Sequence, residues 1–149
     1  MSETIGFLLN DTARMFRRTF NARTRDSGIT ALQSRVLTYL SRYPGIRQGP
    51  LAELIEVEPI TLSRMIDRLE ESGLVERRAD PTDRRAWQLH LTPLAEPLLD
   101  NLRQTARAVV AEATEGMSDA EREELTRLVE RIRANLSRRE CQKEQKETA

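Results

Sequence analysis

The chain has 149 residues, enough for one compact domain or for one domain with a helical extension; 32% of them are charged, 4% are aromatic, and the formal net charge is zero. No stretch approaches the ~20 consecutive apolar residues of a membrane helix, MSETIGFLLND has neither the basic start nor the apolar run of a secretory leader, and the lone Cys141 has no partner for an internal disulfide. The expectation is a mainly helical protein of the cytoplasm, without a membrane span.

The charge is unevenly spread. Residues 1–44 carry seven Arg against three acids, residues 45–92 seven Arg against nine acids, and the remainder ten basic residues against twelve acids. Basic groups cluster at Arg77, Arg78, Arg84 and Arg85, and only Lys143 and Lys146 are lysines. A planar guanidinium suits bidentate contact with phosphate and base edges, although a genome rich in Arg codons produces the same composition.

In chain order, Ile5, Leu8, Leu9, Ala13, Phe16 and Phe20 fall at helical spacing over about 3–25, and Ser27-Gly28 ends that segment. Thr30 followed by Gln33 is a capping box for a second helix with Leu32, Val36, Leu37 and Leu40 on its apolar face, stopped by Tyr43-Pro44-Gly45. Gly49-Pro50 opens a short helix bearing Leu51, Leu54 and Ile55. Pro59 then starts another, with Leu62, Met65, Ile66 and Leu69 as its buried stripe and Ser72-Gly73 as its left-handed stop. Leu74–Arg78 reads as a strand, 79–85 as a polar loop, and Trp87-Gln88-Leu89-His90-Leu91 as a second strand of a hairpin. Thr92-Pro93 precedes a helix seamed by Leu94, Leu98, Leu99, Leu102, Ala106, Val109, Val110 and Ala113, with Pro97 making its start irregular. Ser118 and Glu121 form another capping box, ahead of Leu125, Leu128, Val129, Ile132 and Leu136. From about Ser137 the sequence is highly charged and is expected to fray.

The informative unit is 47–92: short helix, tight joint Glu56-Val57-Glu58, second helix, Gly, hairpin. Two short helices so joined can cross steeply, letting the second lie in a DNA major groove while the first braces it. On Pro59–Ser72 a helical wheel sets Ile60, Arg64, Asp67 and Arg68 opposite the apolar stripe, with Thr61 and Ser63 at the flanks. Thr61 and Ser63 are short donors near a helix start that favours phosphate. Arg64 can reach guanine or phosphate, and Ile60 can meet a thymine methyl. Arg84 and Arg85 at the hairpin tip suit a minor groove, and Asp83 can hold an Arg side chain by an ion pair. Asp80 and Asp83 lack the further oxygens of a calcium loop.

Residues 30–110 resemble the MarR family of bacterial regulators. The resemblance is carried by LAELIEVEPITLSRMIDRLEESGLVERRADPTDRRAWQLHLT at Leu51–Thr92, above all by RLEESGLVER, DPTDRRA and LHLT in that order; EPITLSRMID and AEPLL look most like the SlyA branch. It implies a winged helix-turn-helix (29–92) between dimerisation helices at 1–28 and 93–139, with 140–149 a flexible tail. The partners it implies are double-stranded DNA with an inverted-repeat operator and a second copy of the chain. It further implies DNA contacts by Ile60, Thr61, Ser63, Arg64, Arg68, Arg84 and Arg85 with Asp83 supporting the wing, and repression relieved by a small aromatic or phenolic effector. The unpartnered apolar seams point to the homodimer independently; an intrachain three-helix bundle is the alternative.

Some relatives sense oxidants through a cysteine near the first helix, whereas Cys141 lies far from it. His90 alone is too little for a metal site, which for Zn²⁺ takes about four ligands, so no metal or cofactor is expected. Phe7, Met15, Phe16, Phe20, Tyr39 and Tyr43 are bulky groups near the expected effector junction, and Arg14 or Arg17 can neutralise a carboxylate. No Gly-rich phosphate loop, HExxH or GxSxG is present, so an enzyme is not expected. The alternative class is a winged helix that docks a protein partner, motivated by Glu53, Glu56, Glu58, Glu70 and Glu71.

Overall fold

Thr30 closes the start of its helix as the sequence predicts: its hydroxyl accepts the Gln33 N–H at 3.2 Å, and the Gln33 side chain accepts the Thr30 N–H at 2.9 Å. Two of the donors that a helix start leaves unpaired are thereby satisfied. The computed structural model describes residues 2–147, and the side chains of 4–138. Its elements are α1 (Ser2–Asp26), α2 (Ala31–Arg42), α3 (Gln48–Leu54), α4 (Pro59–Glu71), β1 (Val75–Ala79), β2 (Trp87–Leu91), a 3₁₀ turn (Pro93–Ala95), α5 (Glu96–Ala113) and α6 (Asp119–Glu147). The chain divides after Val110 into two compact units.

In the first unit, Val36, Leu37, Leu40, Leu51, Ile55, Leu62, Ile66, Leu69, Val75 and Leu89 are fully buried. They draw α2, α3, α4 and both strands onto one core, which Leu99 and Leu102 of α5 complete. Each such side chain contributes about 1.5–3 kcal/mol by leaving water. The four buried residues of α4, Leu62, Met65, Ile66 and Leu69, therefore pin that helix by one face and leave the opposite face outward.

The joint between α3 and α4 is tighter than its composition suggests. Glu56 sits at φ 51°, in the left-handed region. There Val57 N–H reaches the Ala52 carbonyl at 3.0 Å and Glu56 N–H reaches Glu53 at 3.1 Å. The stop of α4 repeats the motif with Gly73 at φ 74°: Leu74 N–H bonds the Leu69 carbonyl and Gly73 N–H that of Glu70, both at 2.9 Å. Because Leu74 is used in that closure, β1 starts at Val75, one residue later than the sequence pattern suggests.

β1 and β2 pair antiparallel, from Val75 opposite Leu91 to Ala79 opposite Trp87. Arg47 adds a bridge to Gln88 on the far side of β2. The irregular start expected before α5 is the 3₁₀ turn. Pro97 has no N–H to give the Pro93 carbonyl, which is bonded instead by Glu96, three residues on.

The C-terminal end of α1 belongs to this core: Thr24 is fully buried and Phe20 packs against the cluster. Farther back, Ile5, Phe7, Leu8, Leu9 and Met15 are exposed. In the second unit, Ser118 and Glu121 form the expected capping box, at 2.8 and 3.2 Å. Leu125, Leu128, Val129, Ile132 and Leu136 along α6 are all exposed. The backbone of α6 continues as helix to Glu147, past the expected fraying point. The side chains from 139 onward, including Cys141 and those of the tail assigned to 140–149, lie outside the described residues. No described helix is long and apolar enough to cross a membrane.

Candidate nucleic-acid interface

Pro59 is the first residue of α4, and Glu58 before it makes no side-chain cap. On the outward face, Ile60, Thr61, Arg64, Asp67 and Arg68 are exposed, with Ile60 at 61%; Ser63 is half-buried. An exposed Ile beside a helix start suits apolar contact with a base methyl. Arg64 and Arg68 have no ion pair or side-chain hydrogen bond among the described residues.

Asp67 is different. The wheel groups it with Arg64 and Arg68, yet its carboxylate takes Arg77 of β1 at 2.6 Å, and Arg77 also pairs with Glu70. Burial works against the Arg77 charge, but the bonds from Asp67 and Glu70 outweigh it and raise its pKa. Arg77 thus braces α4 against the hairpin. Arg78, its neighbour in the basic cluster, is neutralised by Glu76.

The loop between the strands is built on two aspartates. Asp80 is only 8% exposed. Its Oδ1 accepts the Thr82 hydroxyl at 2.7 Å and the Thr82 N–H at 2.9 Å; its Oδ2 accepts Arg47 Nη2 at 2.8 Å and Nε at 3.0 Å. The Thr82 hydroxyl, its N–H and the Arg47 guanidinium hold this carboxyl far below the usual range, against the effect of burial. Asp80 N–H bonds the Ala86 carbonyl, and Ala86 N–H that of Asp83, both at 3.0 Å. Asp83 accepts the Arg85 N–H at 3.0 Å and lies 3.7 Å from Arg47. The arginine that Asp83 faces is therefore Arg47, outside the hairpin, and its hold on Arg85 is through the main chain. Arg84 and Arg85 are exposed at the tip, with no ion pair among the described residues.

The remaining sequence candidates have ordinary surroundings. His90 lies on β2, 3.2 Å from Gln88 Oε1 and opposite Glu76. Among the described residues no group of three His, Cys, Asp or Glu could hold a metal ion. Phe20 and Tyr39 pack on the core, Phe16 is half-buried, and Phe7, Met15 and Tyr43 are exposed; Tyr39 and Tyr43 stack at 6.2 Å. Arg14 is paired with Asp11, whereas Arg17 has no ion pair among the described residues.

The residue that sequence reasoning missed is Arg47. No local signal marks it, since Asp80 is 33 positions away. Asp80 itself was legible as a loop former: Asp-Pro-Thr is the pattern in which a carboxylate bonds the backbone two residues on.

Residues 29–87 match the MarR family model. Over 119 residues the chain is 33% identical to a protein of Thauera aromatica described as a transcriptional regulatory protein for the hcr operon, covering 80% of this chain and 70% of that one. A MarR transcriptional regulator from Methanosarcina mazei superposes with a TM-score of 0.78 at 26% identity, over 91% of this chain and 98% of that one. Apo MarR from E. coli superposes at 0.73, also with 26% identity, over 85% and 94%.

Proposed function

The chain belongs to the MarR family and is a DNA-binding transcriptional regulator, and from that premise we propose that two copies read an inverted-repeat operator, each placing α4 in a major groove and its wing in the flanking minor groove. The observation that carries this reading is the sorting of the arginines. Arg14, Arg47, Arg77, Arg78, Arg103 and Arg127 are neutralised by carboxylates. Arg64 and Arg68 on α4, and Arg84 and Arg85 on the wing, are exposed and carry no such partner among the described residues. Other exposed arginines, Arg17 among them, also lack a carboxylate partner among the described residues; what distinguishes these four is their place on the outward face of α4 and at the wing tip.

In this reading Arg64 contacts a base edge, Ile60 a thymine methyl, Thr61 and Ser63 phosphates, Arg68 the backbone, and Arg84 and Arg85 the minor groove. Asp83 fixes the wing. The exposed apolar stripes of α1 and α6 support the homodimer, because a lone chain rarely leaves so many large side chains in water. Pairing sets two α4 helices about 34–36 Å apart, or a multiple of that. The sign of regulation is repression in the cytoplasm, relieved when a small aromatic or phenolic acid binds; exposed Phe7 and Tyr43, and Arg17 for the carboxylate, support that class. The reading gives the chain no catalytic step.

The test is fluorescence anisotropy with the promoter DNA beside the gene, at fixed salt. Arg64→Ala and Arg85→Ala should each lose about 1–3 kcal/mol of binding, roughly 5- to 150-fold. Unchanged affinity in both refutes the interface. A wild-type chain with no salt-sensitive DNA binding at all favours a winged helix that docks a protein.

A further inference from the structure

We propose that Arg47 is a positioning residue for DNA binding: by gripping Asp80 from the helix-turn-helix side, it sets where the wing carries Arg84 and Arg85. The proposal rests on the interface reading above and adds to it a residue that is not required to touch DNA.

Arg47 stands immediately before α3 and joins it to the hairpin twice. Its backbone bridges Gln88, flanked by Gly45 N–H to the Leu89 carbonyl at 2.9 Å and Leu89 N–H to the Ile46 carbonyl at 3.0 Å. Residues 45–47 thus act as a short third strand along β2. Its guanidinium then reaches past the strands to the loop, with Nε and Nη2 on one oxygen of the nearly buried Asp80 and Nη1 3.7 Å from Asp83.

The two aspartates hold the rest of the loop. Asp80 fixes Thr82 by two bonds, and Asp83 fixes the Arg85 N–H. A continuous polar chain therefore runs from the start of α3 to the backbone of the wing tip. A two-stranded hairpin alone is marginal in water, so a tip that must reach a groove in fixed relation to α4 needs such a brace. The guanidinium is 43% exposed, and direct phosphate contact by Arg47 is the competing explanation for any loss of DNA binding. The two explanations differ in sign at Asp80. Asp80→Asn removes a negative charge, which by electrostatics alone tightens binding to a polyanion; loss of the brace weakens it.

The experiment is a pair of double-mutant cycles by anisotropy, with thermal unfolding of every variant. In the otherwise wild-type chain Arg85→Ala should cost about tenfold in affinity. In an Arg47→Ala background it should cost less than about twofold, because the tip is no longer placed. Arg64→Ala, on α4, should cost the same in both backgrounds. Asp80→Asn should weaken binding, and Arg47→Lys, which keeps the charge within reach of Asp80, should restore most of the dependence on Arg85. Should Arg47→Ala fail to fold, Asp80→Asn and Arg47→Lys carry the same comparison. An Arg85→Ala cost that is equal in both backgrounds, or an Asp80→Asn chain that binds more tightly, overturns the positioning role while leaving the interface standing. An Arg85→Ala chain that binds as wild type overturns both.

Discussion

Replacing Glu56 by Gly should stabilise the protein, although it removes a side chain from the middle of the DNA-binding unit. Glu56 holds φ 51° in the joint between α3 and α4. For an L-residue with a Cβ the left-handed conformation costs about 1–2 kcal/mol, and Gly relieves that. Against it stands the greater freedom Gly loses on folding, about 0.5–1 kcal/mol. The Glu56 side chain is exposed and makes no hydrogen bond or ion pair among the described residues, so nothing further is lost. The two main-chain bonds of the joint, Val57 to Ala52 and Glu56 to Glu53, are available to Gly unchanged. With each range taken at its middle, the net is a gain of about 0.75 kcal/mol, which for a chain of this size raises Tm by about 1.5–3 °C. Differential scanning calorimetry at fixed protein concentration measures it. An unchanged or lower Tm would show that the joint is not strained at Glu56.

Leu128→Glu, on the exposed apolar face of α6, should convert a dimer to monomers in light scattering behind size exclusion and weaken operator binding with it; a wild-type monomer at micromolar concentration would remove the basis for two-fold recognition. The salt dependence of binding should be limited by the four arginines that each subunit presents in the proposed interface. Eight such cations per dimer, each releasing about one counterion, give a log–log slope of magnitude no more than about 7, and a clearly steeper slope would bring further guanidiniums onto the DNA and refute that set of four.

The parts of the fold legible in the sequence are those written in short-range code. Thr30 with Gln33, Ser118 with Glu121, Pro59 at a helix start and Gly73 at a helix stop each act within a few residues, so reading along the chain finds them. The joint was placed correctly, but its strain was hidden because Glu56 is not a residue type that announces a left-handed turn. Asp67 shows the limit of a helical wheel. Periodicity gives the face a residue shares; its partner, Arg77, comes from a strand and is set by tertiary packing. Likewise the N-terminal stripe reads as one surface, while the fold divides it, taking Phe20 into the core and leaving Ile5, Phe7 and Leu8 outside.

The same limit explains how a chain with no net charge can address a polyanion. Over a Debye length of about 10 Å at 0.1 M salt, a neutralised guanidinium presents little field, whatever the sequence around it. Counting basic residues puts Arg77, Arg78, Arg84 and Arg85 in one cluster, but the first two are held by Asp67, Glu70 and Glu76 and act as struts. Of these four, only the last two face outward without an ion pair among the described residues. In the proposed interface the nearby carboxylates would belong to the binding apparatus: by occupying some arginines they would leave others as the points of attachment, and by holding Arg47 they would fix the distance between those points. Recognition of a defined groove spacing depends on that distance more than on the total of positive charge, which is why removing an acid such as Asp80 is expected to weaken, not strengthen, the hold on DNA.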